Sequence, residues 1–155
     1  MFLAPESIQY IAVHCSATSP NMNIGRKEID TWHKELGWDE IGYHFVIRRE
    51  VNSYGSFIEL GRDINKVGAH VKGYNSISLG ICLVGGIDTE YHPEDNYTLD
   101  QYENLYVLLR CLNLLYPKAT IQGHRDFPNV QKDCPCFNVR EWWFKKLSVI
   151  NKDWF

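Results

Sequence analysis

Two short apolar runs, far apart in the chain, each stop at a histidine. The run that opens at Ile8 closes on Val13-His14-Cys15-Ser16, and the run that opens at Ala119 closes on Gly123-His124-Arg125-Asp126. The first alternates and is rich in branched residues, which makes it a strand with His14 at or just past its end. The second is a short strand at Thr120 to Gln122 that precedes His124. Lys132-Asp133-Cys134-Pro135 follows soon after. Imidazole and thiolate are preferred zinc ligands, and three protein ligands leave a fourth position open for water. Two strand ends and one loop can bring such groups together. If they converge, the chain is a metal hydrolase.

The remaining patterns describe what surrounds those strand ends. Ile29, Trp32, His33 and Leu36 recur at helical spacing, and Gly37 suits the left-handed residue after a helix end. Tyr43 to Arg49 reads as a second strand, with Tyr43, Phe45 and Ile47 on one face and His44 and Val46 on the other. Asn52 to Gly55 makes a turn, and Ser56 to Leu60 returns as its hairpin partner. Gly61 to Ser78 has no clear period and reads as a long surface loop, a kind of segment that is often functional. Leu79 to Val84 is a nearly continuous apolar run ending in Gly85-Gly86, as in a buried central strand. Thr98-Leu99-Asp100-Gln101 has the form of a capping box. It opens a helix whose apolar face is Leu99, Tyr102, Leu105, Tyr106, Leu109, Leu112 and Leu115, and Pro117 stops it. Asn138 to Leu147 is a last helix, capped by Asn138, with Trp142 and Leu147 inward. The order β-α-β-β-β-α-β-α implies an α/β fold, a single domain over residues 1–155 with a central mixed sheet flanked by helices.

Composition narrows the function. The 155 residues suit one domain, and 45% apolar with 23% charged residues describe a soluble globular chain. A net charge of -3 gives no general attraction to nucleic acid. The N-terminus lacks a positive region and its apolar stretch is too short for a signal peptide, so synthesis without export by its own sequence is expected. No run approaches a membrane span. The five cysteines are odd in number and do not read as a disulfide framework. Cys82 and Cys111 lie in apolar patterns and read as small buried hydrophobes. Cys134 and Cys136 lie in a proline-containing loop, where packing explains them less well.

Several residues could carry amide hydrolysis. A zinc ion held by two imidazoles and a thiolate polarises a carbonyl and makes hydroxide from water near neutral pH. His14 and His124 are well placed at strand ends, where open α/β sheets bind ligands. His33, His44, His70 and His92 compete with them as ligands. The phenol of Tyr43 could donate to an oxyanion or orient water, and the Lys132 ammonium could stabilise the same charge. Ser16 has no nucleophile elbow around it. Cys15 and His14, as strand neighbours, point to opposite faces and are poorly arranged for proton transfer.

Taken in order, these stretches resemble the zinc-dependent N-acetylmuramoyl-L-alanine amidases of the type 2 family, which includes phage lysis amidases and peptidoglycan recognition proteins. The matching segments are Ile11-Ala-Val-His-Cys-Ser-Ala-Thr18, Trp32-His-Lys-Glu-Leu-Gly-Trp38, Gly42-Tyr-His-Phe-Val-Ile47 and Gly61-Arg-Asp63. They continue with Val67-Gly-Ala-His-Val-Lys-Gly-Tyr-Asn75, Ser78-Leu-Gly-Ile-Cys-Leu-Val-Gly-Gly86, Gly123-His-Arg-Asp126 and Lys132-Asp-Cys-Pro-Cys-Phe137. The resemblance implies that His14, His124 and Cys134 bind Zn2+ and that Tyr43 and Lys132 assist catalysis. It implies that His70 and Asn75 line the wall of a substrate groove. The substrate it implies is peptidoglycan or muropeptide, cut at the amide between the lactyl group of N-acetylmuramic acid and L-alanine. A monomer without nucleic-acid or membrane partners is expected. Many relatives have serine or a similar small residue where this chain has Cys136, which is expected to be buried, and the hairpin from Arg49 to Ile58 looks longer than in close relatives. A lone catalytic domain without a signal peptide fits a phage or prophage endolysin, and equally an enzyme that recycles muropeptides. A rival class, a module that binds peptidoglycan without cutting it, typically lacks a metal ligand. Here the three ligands, Tyr43 and Lys132 are all present.

Overall fold

The computed structural model describes residues 1–153. Strand β1 (Tyr10–Cys15) is followed by helix α1 (Arg26–Glu35), β2 (Phe45–Ile47), β3 (Ile58–Leu60), β4 (Ser78–Leu83), α2 (Leu99–Leu115), β5 (Thr120–Gly123) and α3 (Val139–Asp153). This is the element order that the sequence patterns imply. All five strands form one sheet in the order β3-β2-β4-β1-β5. Only the β2–β3 pair is antiparallel; β1 pairs in parallel with β4 and β5, and β2 with β4. The sheet is therefore mixed, as expected.

Side chains alternate between two apolar layers. Ile11 and Val13 of β1, Phe45 and Ile47 of β2, and Leu79, Ile81 and Leu83 of β4 pack with Leu105, Leu108, Leu109 and Leu112 of α2 and Val139 and Trp143 of α3. On the other face, Val46 and Cys82 pack with Ile29 of α1, while Ala12 meets Val71 and Phe127. All six residues of β4 are buried, which accounts for its continuous apolar character.

The helix ends follow the local signals. Gly37 takes a φ of +88° just past α1, a conformation that favours glycine. Thr98 Oγ1 accepts from the Gln101 N–H at 3.1 Å and Gln101 Oε1 accepts from the Thr98 N–H at 3.0 Å, so the capping box forms as read. The inward face of α2 differs at its ends. Leu99 is 82% exposed and Leu115 67%. A helix of 17 residues spans roughly 25 Å, longer than the six-residue strands it covers, so its terminal turns overhang. Cys111 is exposed rather than buried, because it sits two residues on from Leu109, about 200° round the helix. In α3, Trp142 and Leu147 pack against the core as expected, but Val139 and Trp143 go deeper.

Gln101 also ties layer to layer. Its side chain is fully buried, and Nε2 donates to the Ile47 carbonyl at 3.2 Å and the Val84 carbonyl at 2.8 Å. The carbonyl just past β4 thus finds its partner on α2, and the one that ends β2, which also accepts the Val84 N–H at 3.0 Å, finds a second donor there. The long segment between β3 and β4 is held just as firmly. The Arg62 guanidinium donates to the carbonyls of Ile41, Val67 and Glu40 at 2.9, 2.7 and 3.1 Å. His44 Nδ1 accepts from the Gly80 N–H at 3.0 Å while Nε2 lies 2.8 Å from the Lys66 carbonyl.

Replacing Gln101 with leucine should leave the Val84 carbonyl and the Thr98 N–H without these partners, while the Ile47 carbonyl keeps the Val84 N–H. Chemical denaturation should show a loss of about 1–3 kcal/mol. A loss below about 0.5 kcal/mol would contradict this role.

Candidate active site

The geometry starts from strand register. β1 and β5 run in parallel, with Val13 opposite Gly123. The next residue on each chain is a histidine, so His14 and His124 stand at the same level, on the same edge of the sheet, at neighbouring-strand spacing. Their rings lie 4.5 Å apart, centre to centre. After β5 the chain makes a tight turn at His124–Asp126, in which Asp126 Oδ2 accepts the Gly123 N–H at 2.9 Å. The loop that follows returns to the same edge. The Arg125 N–H donates to the Cys134 carbonyl at 2.8 Å, and Cys134 Sγ accepts the Cys15 N–H at 3.2 Å. One ligand atom each from His14, His124 and Cys134 then lies within 4.8 Å of the other two.

The same structure sorts the competing histidines. His33 accepts the Gly42 N–H through Nδ1 at 2.9 Å. His44 is occupied by Gly80 and Lys66, as described. His92 is exposed and faces Asp88. His70 does reach the cluster, but through His14: His14 Nε2 and His70 Nδ1 are 2.9 Å apart. Among the described residues, the trio is the one group of three or more His, Cys, Asp or Glu side chains spaced to hold a metal.

A cleft of about 610 Å³ opens over this cluster, and Tyr43, His70, Asn75, His124, Lys132 and Cys134 all face it. Tyr43 precedes β2 rather than belonging to it, since the strand begins only at Phe45. It therefore escapes the strand alternation and packs on the side of Ile29 and Val46, opposite Phe45 and Ile47. Its ring comes to 5.1 Å from that of His14. Lys132 is exposed at the mouth and makes no ion pair among the described residues. No aspartate or glutamate lines the cleft. Asn75 Oδ1 accepts the N–H groups of His70 and Val71, each at 2.8 Å, and so holds the cleft wall in shape.

The alternative nucleophiles are tied up by hydrogen bonds. Ser16 Oγ accepts the Gly85 N–H at 3.0 Å and pairs with Thr18 Oγ1 at 2.7 Å. Cys15 reaches the cleft, because β1 ends at this residue and its thiol lies over the sheet edge beside Cys134. A hydrogen bond with the Cys134 thiol, together with burial, pushes the Cys15 thiol up to about 12, so it stays protonated at neutral pH. Cys136 is half-buried rather than fully buried, and its thiol donates to the Gly86 carbonyl at 3.2 Å.

Burial sets the charge states. It lowers His14 well below its ordinary value, helped by the neighbouring His70, His124 and Lys132 charges. Burial likewise lowers His124, with Lys132 adding to it, and lowers His44. His70 falls to about 3 for the same reason. These rings are neutral at pH 7, the form in which imidazole ligates. Burial pushes the Tyr43 phenol well above its usual range, which keeps it a hydrogen-bond donor.

The family described as N-acetylmuramoyl-L-alanine amidase matches residues 4–137. The chain belongs to that family. It is 46% identical to the endolysin of Klebsiella phage KP32 over 150 residues, covering 97% of this chain and 95% of that protein. Among solved structures it resembles the N-acetylmuramoyl-L-alanine amidase LysC from Clostridium intestinale, with a TM-score of 0.75 and 31% identity over 96% of this chain and 91% of that one. It also resembles a mutant form of Drosophila PGRP-LB in complex with tracheal cytotoxin, with a TM-score of 0.56 and 30% identity over 87% and 76% of the two chains. As a member of the family, the chain is an amidase. No helix among the described residues is long and apolar enough to cross a membrane.

The lowered imidazoles carry a consequence for stability. Each ring is neutral in the folded chain and regains its ordinary affinity for protons, near pH 6.5, on unfolding. The unfolded chain then binds more protons, so the metal-free protein loses stability as pH falls below about 6.5. Thermal melts in chelator should give a lower midpoint at pH 5 than at pH 7.5. An equal or higher midpoint at pH 5 would contradict these assignments.

Proposed function

We propose that this amidase is zinc-dependent and cuts the amide between the lactyl group of N-acetylmuramic acid and L-alanine of the peptidoglycan stem peptide. The observation that carries the reading is the β1–β5 register, which sets His14 and His124 side by side with Cys134 over an open cleft. The donor set fits zinc: two neutral imidazoles and a cysteine sulfur, each able to offer one ligand atom toward a shared point. When bound, zinc would supply a Lewis acid for the scissile carbonyl and bring the ionisation of water close to neutral pH.

The chain's own residues then have distinct tasks. Tyr43, kept protonated by burial, donates to the oxyanion as the carbonyl becomes tetrahedral. Lys132 places a positive charge at the same mouth and stabilises that oxyanion. Lys72 also lines the cleft, and with no carboxylate beside it the groove suits a substrate that carries carboxylates. His70 and Asn75 stand in the groove wall against which a stem peptide lies. The endolysin relative and the tracheal-cytotoxin complex of a structural relative support wall material or muropeptide as the substrate. The intact wall is the proposed target.

Release of stem peptides from purified walls tests this. Chelation should abolish release and added zinc should restore it, and His14→Ala or Cys134→Ala should remove it. Tyr43→Phe should lower kcat by about 100-fold or more while leaving wall binding intact. Full activity in chelator, or in either ligand variant, would refute the zinc assignment.

A further inference from the structure

We propose that His70 is a positioning residue for His14: a relay of hydrogen bonds running from His14 through His70 and Ser78 to a backbone carbonyl sets which nitrogen of His14 is left unprotonated. The proposal rests on the ligand assignment above for its consequence, though not for its geometry.

The direction of the relay follows from its far end. Ser78 Oγ lies 2.7 Å from the Tyr74 carbonyl, an atom that can only accept, so the Ser78 hydroxyl proton points there. Ser78 Oγ is then an acceptor toward His70 Nε2, 3.3 Å away, and the neutral His70 ring carries its proton on Nε2. His70 Nδ1 is left with a lone pair and faces His14 Nε2 at 2.9 Å. His14 must therefore be the donor in that pair, with its proton on Nε2. Its Nδ1 is left unprotonated, in the state a metal requires.

The ring that does this is wedged against backbone at two glycines. A Cβ on Gly80 would stand 2.7 Å from His70 Cγ, and one on Gly68 would stand 2.6 Å from Cδ2. Two strictly bare backbone positions thus make the slot for the imidazole. Gly80 lies two residues before Cys82, which is the register partner of His14, so the slot opens on the face of the sheet that His14 occupies. The backbone N–H of His70 is fixed by Asn75. His44, the nearest other ring at 5.7 Å, has both nitrogens engaged with Gly80 and Lys66 and cannot substitute. Neither ring nitrogen of His70 meets a carboxylate, so it orients His14 without bringing a carboxylate's negative charge to the site.

Two variants and one spectrum test this. His70→Asn keeps an acceptor where Nδ1 stands, whereas His70→Leu fills the slot with no acceptor. Zinc affinity of the purified protein, measured by competition with a chromophoric chelator, should fall about 10- to 100-fold in His70→Leu. It should stay within a few-fold of wild type in His70→Asn. Wild-type affinity in a folded His70→Leu, or equal losses in both variants, would overturn the proposal. In ¹⁵N-histidine NMR of the metal-free wild-type chain, the proton of His14 should reside on Nε2. A proton on Nδ1 would overturn the proposal even if both variants fail to fold. Should the wild-type chain bind no zinc while His14 is an Nε2–H tautomer, the zinc assignment fails and the relay stands.

Discussion

The parallel pairing of β1 with β5 is the constraint on which the site depends. A parallel ladder aligns equivalent ends of two strands, and the Val13–Gly123 register brings the two histidines that follow to one level. A slip of one residue would turn His14 to the opposite face, into the layer of Val13 and α2. The register is in turn held by burial. Ile11 and Val13 sit in the core beneath α2 and α3, with Ile121 packed beside them, so the pairing cannot move without exposing apolar surface. The chemistry and the core are specified by the same few residues.

The two faces of the sheet divide the labour. The face under α2 and α3 is apolar and built from branched and leucine side chains. The other face carries Ala12, Gly80 and Cys82, small residues that leave room for imidazoles to lie against the strands. That room is what admits His70 and His44 into contact with the sheet. The loop before β4 supplies both the His70 ring and the cleft wall, and it is pinned by Arg62, Asn75 and His44 rather than by apolar packing alone. A segment with no sequence period is thus tied down by hydrogen bonds to backbone carbonyls and amides, which leave no periodic trace.

Strand ends were legible in the sequence because apolar runs stop abruptly at His14 and His124, and the α2 start because the capping box is local. The grouping of His14, His124 and Cys134 is foreshadowed by residue types and by the ordered family motifs. What could not be read depends on distant partners. Tyr43 shows a strand-like alternation with Phe45, yet the strand starts after it and the phenol joins the opposite face. Gln101 looks like a cap residue only, but its side chain also closes the ends of two strands. Cys111 lies in an apolar stretch and still points outward, since helical phase, not composition, decides burial. The role of His70 needs Ser78 and Tyr74 together, a combination that no spacing rule encodes.

In the proposed site, two imidazoles and one thiolate share a cation at the end of the β1–β5 pair. X-ray absorption at the zinc edge of the loaded protein addresses it directly. The expected result is a four-coordinate site with one sulfur at about 2.3 Å and nitrogen or oxygen neighbours at about 2.0–2.1 Å, the sulfur signal disappearing in Cys134→Ala. A shell of oxygen neighbours only, or a sulfur signal that survives that substitution, would contradict it.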